Sequence, residues 1–151
     1  MKMKKTIRAP HLMLVFALIG IAIASYDCYA ISTGQLLWCP PPIDGCNTVA
    51  YSPYGRICGV PLGCFGLIFY AIMLAFAALL AFCPSSRRLR LGALVYTAIG
   101  VASSICFMYL DITLIRAFCI YCMVSAVLTL LLLIFAIVHF RAPVDGHRLT
   151  G

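Results

Sequence analysis

Residues 117–140 read AFCIYCMVSAVLTLLLLIFAIVHF and contain no Asp, Glu, Lys or Arg. A helix needs about 20 apolar residues to cross the roughly 30 Å hydrocarbon core of a bilayer, so this stretch predicts a membrane span. Similar stretches lie at about 12–31, 60–82 and 91–110. Backbone groups in lipid must be satisfied within the chain, and the alternation of a membrane barrel is absent, so helices are favoured. The sequence therefore predicts an all-α membrane protein, a four-transmembrane-helix bundle in a single domain over residues 1–151.

Composition supports this prediction. The 151 residues are 64% hydrophobic and 10% charged, whereas a soluble domain is about 25% charged. Too few polar residues remain to cover a water-facing surface. A soluble enzyme, a disordered chain and a nucleic-acid-binding protein are excluded, despite the net charge of +7.

The basic residues predict the orientation of the chain. Nine of the eleven lie before the first span, between the second and third spans, or after the fourth. Because cytoplasmic segments carry the excess of Lys and Arg, both termini and the 83–90 connection are expected in the cytoplasm. The long loop 32–59 and the turn 111–116 are then expected outside. The nine residues are Lys2, Lys4, Lys5, Arg8, Arg87, Arg88, Arg90, Arg141 and Arg148.

The N-terminal sequence MKMKK and the apolar run after it also fit a secretory signal peptide. The run exceeds the 7–15 residues of a typical signal core, so we interpret it as the first span.

Acidic residues are scarce, and Asp27 and Asp111 fall at the outer ends of spans. We expect water to reach both, which leaves no buried carboxylate for a proton relay.

Two of the nine cysteines, Cys119 and Cys122, form a Cys-Ile-Tyr-Cys motif at the outer end of the fourth span. The positive end of a helix stabilises a thiolate, and the two-residue spacing lets the two sulfurs meet. The thiolate is the species that attacks a disulfide, so the motif favours thiol exchange. A chance pair in a cysteine-rich helix is the alternative interpretation.

A second pair, Cys39 and Cys46, flanks Pro-Pro-Pro-Ile-Asp-Gly in the long outer loop. Turn residues beside each cysteine allow a small exposed ring, and an oxidising outer face permits a disulfide. Two pairs on one face suggest a relay, although the loop disulfide could be merely structural. The other cysteines are expected to be structural, mostly small apolar fillers without an exchange partner: Cys28, Cys58, Cys64, Cys83 and Cys106.

Together these motifs resemble the vitamin K epoxide reductase family in its bacterial form. The resemblance is carried by Cys-Pro-Pro-Pro-Ile-Asp-Gly-Cys-Asn-Thr-Val at 39–49, Ser-Pro-Tyr-Gly at 52–55 and Gly-Val-Pro-Leu-Gly-Cys-Phe-Gly at 59–66, followed by the Cys-Ile-Tyr-Cys motif. It extends over about 11–140, nearly the whole chain.

The resemblance implies a quinone-dependent thiol–disulfide oxidoreductase that supports disulfide-bond formation, with ubiquinone or menaquinone as electron acceptor and no metal. Cys39 would exchange with a thioredoxin-like protein, and Cys46 would pass the disulfide on to Cys119. Cys122 would face the quinone. Part of the quinone-pocket wall would come from Phe65, Phe69 and Tyr70.

Two positions depart from the animal enzymes, which carry an Asn and a Tyr that bond the quinone oxygens. Leu62 and Ala126 occupy those positions here.

Many bacterial members carry a fused thioredoxin-like domain, and for this chain we expect a separate partner protein. We expect a bacterial inner-membrane protein whose redox cysteines lie on the periplasmic or outer face, with the lipid bilayer and the quinone pool as further partners.

Two other classes of function remain as alternatives. A small transporter for a soft metal ion also uses paired cysteines, but here both pairs lie outside and no His- or Met-rich segment accompanies them. A structural membrane subunit with a loop disulfide is the second alternative.

Aromatic residues near the outer ends fit either a quinone-pocket wall or an interfacial aromatic belt: Tyr26, Tyr109, Phe65, Phe69 and Phe118.

Overall fold

The computed structural model describes residues 2–41 and 45–141, with side chains from residue 10 onward. The predicted turn at 42–44 between the loop cysteines lies outside the described residues, as do the predicted cytoplasmic Arg148 and the acidic Asp145.

Within these residues the fold consists of four long helices with short elements between them. The long helices are α1 (Lys2–Ser32), α3 (Leu62–Phe82), α4 (Arg87–Leu110) and α5 (Ile120–Arg141). The loop after α1 carries the short helix α2 (Cys46–Ala50) and a hairpin of β1 (Arg56–Ile57) and β2 (Val60–Pro61). A π-helical turn (Asp111–Ile115) follows α4 directly.

The long helices are apolar and long enough to cross a membrane. The qualifying stretches are Pro10–Ser32, Leu62–Phe82, Arg87–Ile115 and Ile120–Arg141. Most of their side chains point away from the bundle, as expected for helices surrounded by lipid rather than by protein. The predicted all-α, four-span membrane bundle is confirmed.

The helices form a closed ring, because the main contacts run from α1 to α3, α3 to α4, α4 to α5 and α5 back to α1. Small residues allow the helices to approach closely, as is usual in membrane bundles. A Cβ atom on Gly20 would collide with the Tyr70 ring, and one on Gly100 would collide with Phe69. The core at the centre of the ring combines alanines with larger apolar side chains: Met13, Ala17, Ala24, Tyr70, Met73, Ala77, Leu80, Ala93, Leu128, Leu132 and Ala136.

A disulfide between Cys28 and Cys64 joins α1 to α3, with the two Cα atoms 4.8 Å apart. Our interpretation of these two cysteines as unpaired fillers is therefore wrong. The helices cross closely here because Gly63 has no side chain, and a Cβ atom at Gly63 would lie only 2.9 Å from the Cys28 nitrogen. This contact joins positions 36 residues apart, with no short spacing to reveal it in the sequence.

Candidate active site

An apolar cavity of about 520 Å³ opens at the end of the bundle beside the long loop. This volume is typical of a small-molecule site. The cavity walls come from α1, α3, α4 and α5, and both Cys119 and Cys122 line it. The three residues predicted for a quinone-pocket wall also line it: Phe65, Phe69 and Tyr70.

Two of these three side chains are fixed by their neighbours. The Phe69 ring stacks on Tyr96, with ring centroids 5.0 Å apart. The Tyr70 ring lies against Gly20, and its hydroxyl lies 2.8 Å from the Ser125 hydroxyl and 3.3 Å from that of Thr129. The hydroxyl of Tyr70 thus bonds within the protein, and its ring forms the wall.

Cys119 and Cys122 lie at the start of α5, both as free thiols. The backbone N–H of Cys122 donates to Cys119 Sγ at 3.4 Å, so Cys119 caps the helix in the manner of an N-cap side chain. A hydrogen bond from the Cys122 thiol lowers the pKa of the Cys119 thiol, against the opposing effect of burial. Cys119 is thereby suited to act as a thiolate.

Cys39 and Cys46 form a disulfide in the loop, with their Cα atoms 6.3 Å apart. Cys39 is half-buried, whereas Cys46 begins α2 and is fully buried. One sulfur of this disulfide thus lies near the surface, and the other faces the interior.

The loop pair and the helix pair lie side by side. Cys46 and Cys119 belong to the same small buried cluster, against which Cys39 and Cys122 also pack. The backbones just before the two buried cysteines touch, since a Cβ atom at Gly45 would lie 2.6 Å from the Phe118 carbonyl oxygen. The sequence-predicted cysteines therefore form one continuous group that ends at the cavity.

A family model described as "Vitamin K epoxide reductase family" matches residues 11–137. The chain belongs to the vitamin K epoxide reductase family. The predicted resemblance is thus confirmed, while comparison with curated proteins gives no significant match. Membership makes the chain an integral membrane thiol–disulfide oxidoreductase linked to quinones, in a family that generally works with thioredoxin-like partners.

In this vitamin K epoxide reductase homologue, three side chains hold the backbone before Cys39, a role that the sequence analysis assigned to none of them. Asn47 accepts a hydrogen bond from the Leu37 N–H and donates one to the Leu37 carbonyl. The Tyr26 hydroxyl accepts from the Trp38 N–H, and the Tyr121 hydroxyl donates to the Trp38 carbonyl at 2.6 Å. The sequence signals for this role are weak: Asn47 lies beside Cys46, Tyr121 lies inside the Cys-x-x-C motif, and Tyr26 is one of the outer aromatic residues.

Apart from Tyr26, the outer aromatic residues divide between the two predicted environments, the cavity wall and the interfacial belt. Phe65 and Phe69 line the cavity, whereas Tyr109 and Phe118 point outward and are largely exposed, as in an aromatic belt. Tyr26 contacts the loop and stacks near Tyr121, with ring centroids 5.8 Å apart.

The expectation that water reaches both outer carboxylates is wrong for Asp111. Asp27 lines the cavity, and Asp111 is only 8% exposed. The reason is local: the chain continues α4 directly as a π-helical turn instead of turning away, and Asp111 is the buried first residue of that turn. Nowhere in residues 2–41 and 45–141 do three or more His, Cys, Asp or Glu residues form a group that could hold a metal ion.

Proposed function

We propose that this homologue oxidises a thioredoxin-like protein and passes the electrons through Cys39 and Cys46, then through Cys119 and Cys122, to ubiquinone or menaquinone. The observation that carries the proposal is the continuous group of cysteines running from a half-buried disulfide to an apolar cavity. The cell would use the reaction to form disulfide bonds in other proteins.

The first step takes place at Cys39, the accessible end of the loop disulfide. A thiolate of the partner attacks Cys39 Sγ, the Cys39–Cys46 bond breaks, and Cys46 leaves as a thiolate. The second thiol of the partner then displaces Cys39, so the partner leaves oxidised and the loop pair is reduced. Thiolate attack through a mixed disulfide is the general route of such exchange.

The second step transfers the oxidation inward. In the turnover state in which Cys119 and Cys122 are joined, the Cys46 thiolate attacks Cys119 and Cys122 leaves as a thiolate. Cys39 then attacks Cys46, which restores the loop disulfide and releases Cys119. The packing of Cys46 against Cys119 supports this order, because exchange requires the sulfurs to meet.

The third step needs an electron acceptor, and the cavity fits a quinone ring. Its walls are mainly aliphatic and aromatic, with the two free thiols on one side. A quinone takes up two electrons and two protons and leaves as the quinol. Cys122 lines the cavity, so its sulfur would give up electrons there as the bond to Cys119 forms again. Phe65, Phe69 and the Tyr70 ring would hold the ring in place.

The sidedness of the reaction is also part of the proposal. The distribution of basic residues supports an outer location for the long loop, and with it for both cysteine pairs. In bacteria that face of the inner membrane is oxidising, which suits a disulfide-forming enzyme.

A quinone-reduction assay with the purified protein and a reduced thioredoxin-like protein tests the route. The quinone absorbance should fall with the wild type, and Cys119→Ser or Cys122→Ser should abolish the change, because either variant lacks the inner disulfide. Cys106→Ser is the matched control, since Cys106 is a free, exposed thiol on α4. Turnover that survives either inner substitution would overturn the route.

The same assay with a small dithiol separates the two pairs. Cys39→Ala should lose reduction by the protein partner and keep reduction by the dithiol, which can reach the inner pair directly. Equal loss with both reductants would contradict the role of Cys39 as the partner-facing cysteine.

A further inference from the structure

Polar residues continue along the cavity face of α5 beyond Cys122. Cys122, Ser125 and Thr129 all line the cavity, at the three- and four-residue spacings that place side chains on one face of a helix. Residues at such spacings have Cβ atoms about 5–6 Å apart, so Ser125 lies one helical turn deeper than Cys122. A quinone ring beside Cys122 would therefore meet the Ser125 hydroxyl before that of Thr129.

The Ser125 hydroxyl has a hydrogen that it can offer to a ligand. The Tyr70 hydroxyl lies 2.8 Å from Ser125 Oγ and 3.0 Å from the Ser125 carbonyl oxygen, so its hydrogen has two acceptors. Thr129 donates to the same carbonyl at 2.8 Å, and a carbonyl oxygen can accept two hydrogen bonds. Tyr70 and Thr129 therefore stay satisfied when the hydrogen of Ser125 turns to another acceptor.

The same neighbours fix the position of this hydroxyl. Tyr70 and Thr129 are each only 2% exposed, and the Tyr70 ring lies against Gly20 on α1. Ser125 Oγ is thus held at a defined point of the cavity wall by groups that are themselves buried. Recognition of a ligand requires support of this kind.

Most other polar side chains of the cavity have no hydrogen to offer to a quinone oxygen. Ser103 and Ser104 donate to carbonyl groups of their own helix, at 3.0 and 2.9 Å. The Tyr121 hydroxyl donates to the Trp38 carbonyl at 2.6 Å. Asp27 lines the cavity, but an ionised carboxylate only accepts hydrogen bonds.

Tyr96 also lines the cavity, but it lies further from Cys122 than Ser125 does. Gly100 faces Thr129, because a Cβ atom there would lie 3.1 Å from Thr129 Cγ2. At 1.5 Å per residue, Thr129 is already about 10 Å along the helix axis from Cys122. Tyr96 precedes Gly100 by one further turn of α4, so Ser125 is the hydroxyl donor next to the thiol.

We propose that the Ser125 hydroxyl donates a hydrogen bond to the quinone carbonyl oxygen nearest Cys122, an inference that rests on the proposed function. This oxygen gains negative charge as the ring takes up electrons, so a donor aimed at it favours reduction as well as binding. Ser125 keeps its proton throughout, and Tyr70 acts as its positioning residue. The site therefore selects a ligand with a ring carbonyl beside Cys122 over other apolar molecules of similar size.

Binding of a ubiquinone analogue with one isoprene unit tests this contact without turnover. Combined Cys119→Ala and Cys122→Ala substitutions remove the inner thiols, so the bound quinone stays oxidised. In this background Ser125→Ala should raise the Kd for the analogue about 3- to 10-fold, the range for loss of one neutral hydrogen bond. Ser104→Ala is the matched control, since Ser104 lines the same cavity but donates to its own helix, and it should leave the Kd unchanged. An unchanged Kd in Ser125→Ala would overturn the proposal.

Infrared difference spectroscopy on the same proteins reports the hydrogen bond itself, which a merely structural role of Ser125 would not affect. One ring C=O band of the bound analogue should lie at lower frequency than in an apolar solvent, and Ser125→Ala should return it to the solvent position. Tyr70→Phe should give a smaller shift, because it removes the group that positions the Ser125 hydroxyl. A band that stays low in Ser125→Ala would overturn the proposal, even if the Kd had risen.

The outcome for the inference can be told apart from the outcome for the proposed function. Protein that binds the analogue through Ser125, yet reduces none of it when supplied with a reduced thioredoxin-like protein and its native cysteines, would refute the proposed function alone. Protein that reduces the analogue equally well with Ser125→Ala, at the same KM, would overturn the inference alone.

Discussion

The side-chain amide of Asn47 forms hydrogen bonds with both backbone groups of Leu37, as a neighbouring β-strand would. Its Oδ1 accepts the Leu37 N–H at 2.7 Å, and its Nδ2 donates to the Leu37 carbonyl at 3.1 Å. Leu37 is buried, so both of its backbone groups depend on this one amide. Because Cys39 follows two residues later, Asn47 sets where the loop disulfide begins.

Asn47→Ala should loosen the segment that carries Cys39. The substitution leaves the two backbone groups of Leu37 unpaired, at about 1–3 kcal/mol for each buried group. Hydrogen exchange at the Leu37 and Trp38 amides, followed by mass spectrometry, should become faster. Asn47→Asp is the control, since it keeps the acceptor for the Leu37 N–H and should retain more of that protection. Unchanged exchange in the Ala variant would contradict this role.

At the level of single residues, the sequence predicted where the two spaced cysteine pairs lie better than it predicted the environment of the carboxylates. The spacing of Cys39 and Cys46 and of Cys119 and Cys122 reflects local chain geometry, so their placement could be anticipated. The burial of Asp111 depends on which way the chain turns after α4, and the sequence carries no local signal for that. The hydrogen bonds of three side chains to Leu37 and Trp38 were missed for a similar reason, because these contacts are set by tertiary structure.

Among the helices, α1 and α3 pack closely not only at Gly63 but also at a second glycine, Gly20. The ring of Tyr70 occupies the space that a side chain at Gly20 would fill. Tyr70 in turn bonds Ser125 and Thr129 on α5. The Tyr70 side chain thus links α1, α3 and α5 next to the cavity.

Gly20→Ala should therefore destabilise the bundle. The added Cβ atom must displace the Tyr70 ring, and overpacking of this kind typically costs about 1–3 kcal/mol. Thermal unfolding in detergent, followed by loss of helicity, should show a lower midpoint. At Gly66, the matched control, a Cβ atom would lie 3.6 Å from the Ala24 Cβ, an ordinary contact, so Gly66→Ala should leave the midpoint near that of the wild type. Equal shifts in both variants would argue against the ring contact as the cause.

The four long helices could largely be predicted from the sequence, because the length of a membrane span is set by the thickness of the bilayer. The π-helical turn at Asp111–Ile115 could not, since an apolar stretch continues through it and the sequence predicted only a turn there. The Cys28–Cys64 disulfide was missed because it depends on the helix crossing at Gly63, which only the assembled bundle reveals.

For the whole molecule, the orientation in the membrane is testable with two native cysteines. Cys58 lies in the hairpin turn and Cys83 follows α3, and both are free and exposed. They flank the second span, so they should lie on opposite faces.

A membrane-impermeant maleimide applied to intact spheroplasts should label Cys58 and not Cys83. The reason is the concentration of Arg residues beside Cys83, which predicts that this connection lies in the cytoplasm. Cys58→Ser and Cys83→Ser identify which thiol reacts, and solubilised protein, in which both should react, is the control. Labelling of Cys83 from outside would reverse the assigned orientation.

The two disulfides of the structure are nested. Cys28 and Cys64 close a covalent ring, and Cys39 and Cys46 close a smaller one inside it. Opening the inner ring therefore leaves the outer ring intact, and the released Cys46 thiol stays on a tether with both ends fixed. A short tether maintains an effective concentration in the millimolar range, so Cys46 would meet Cys119 as an intramolecular neighbour in every cycle, with little dependence on how firmly the loop packs.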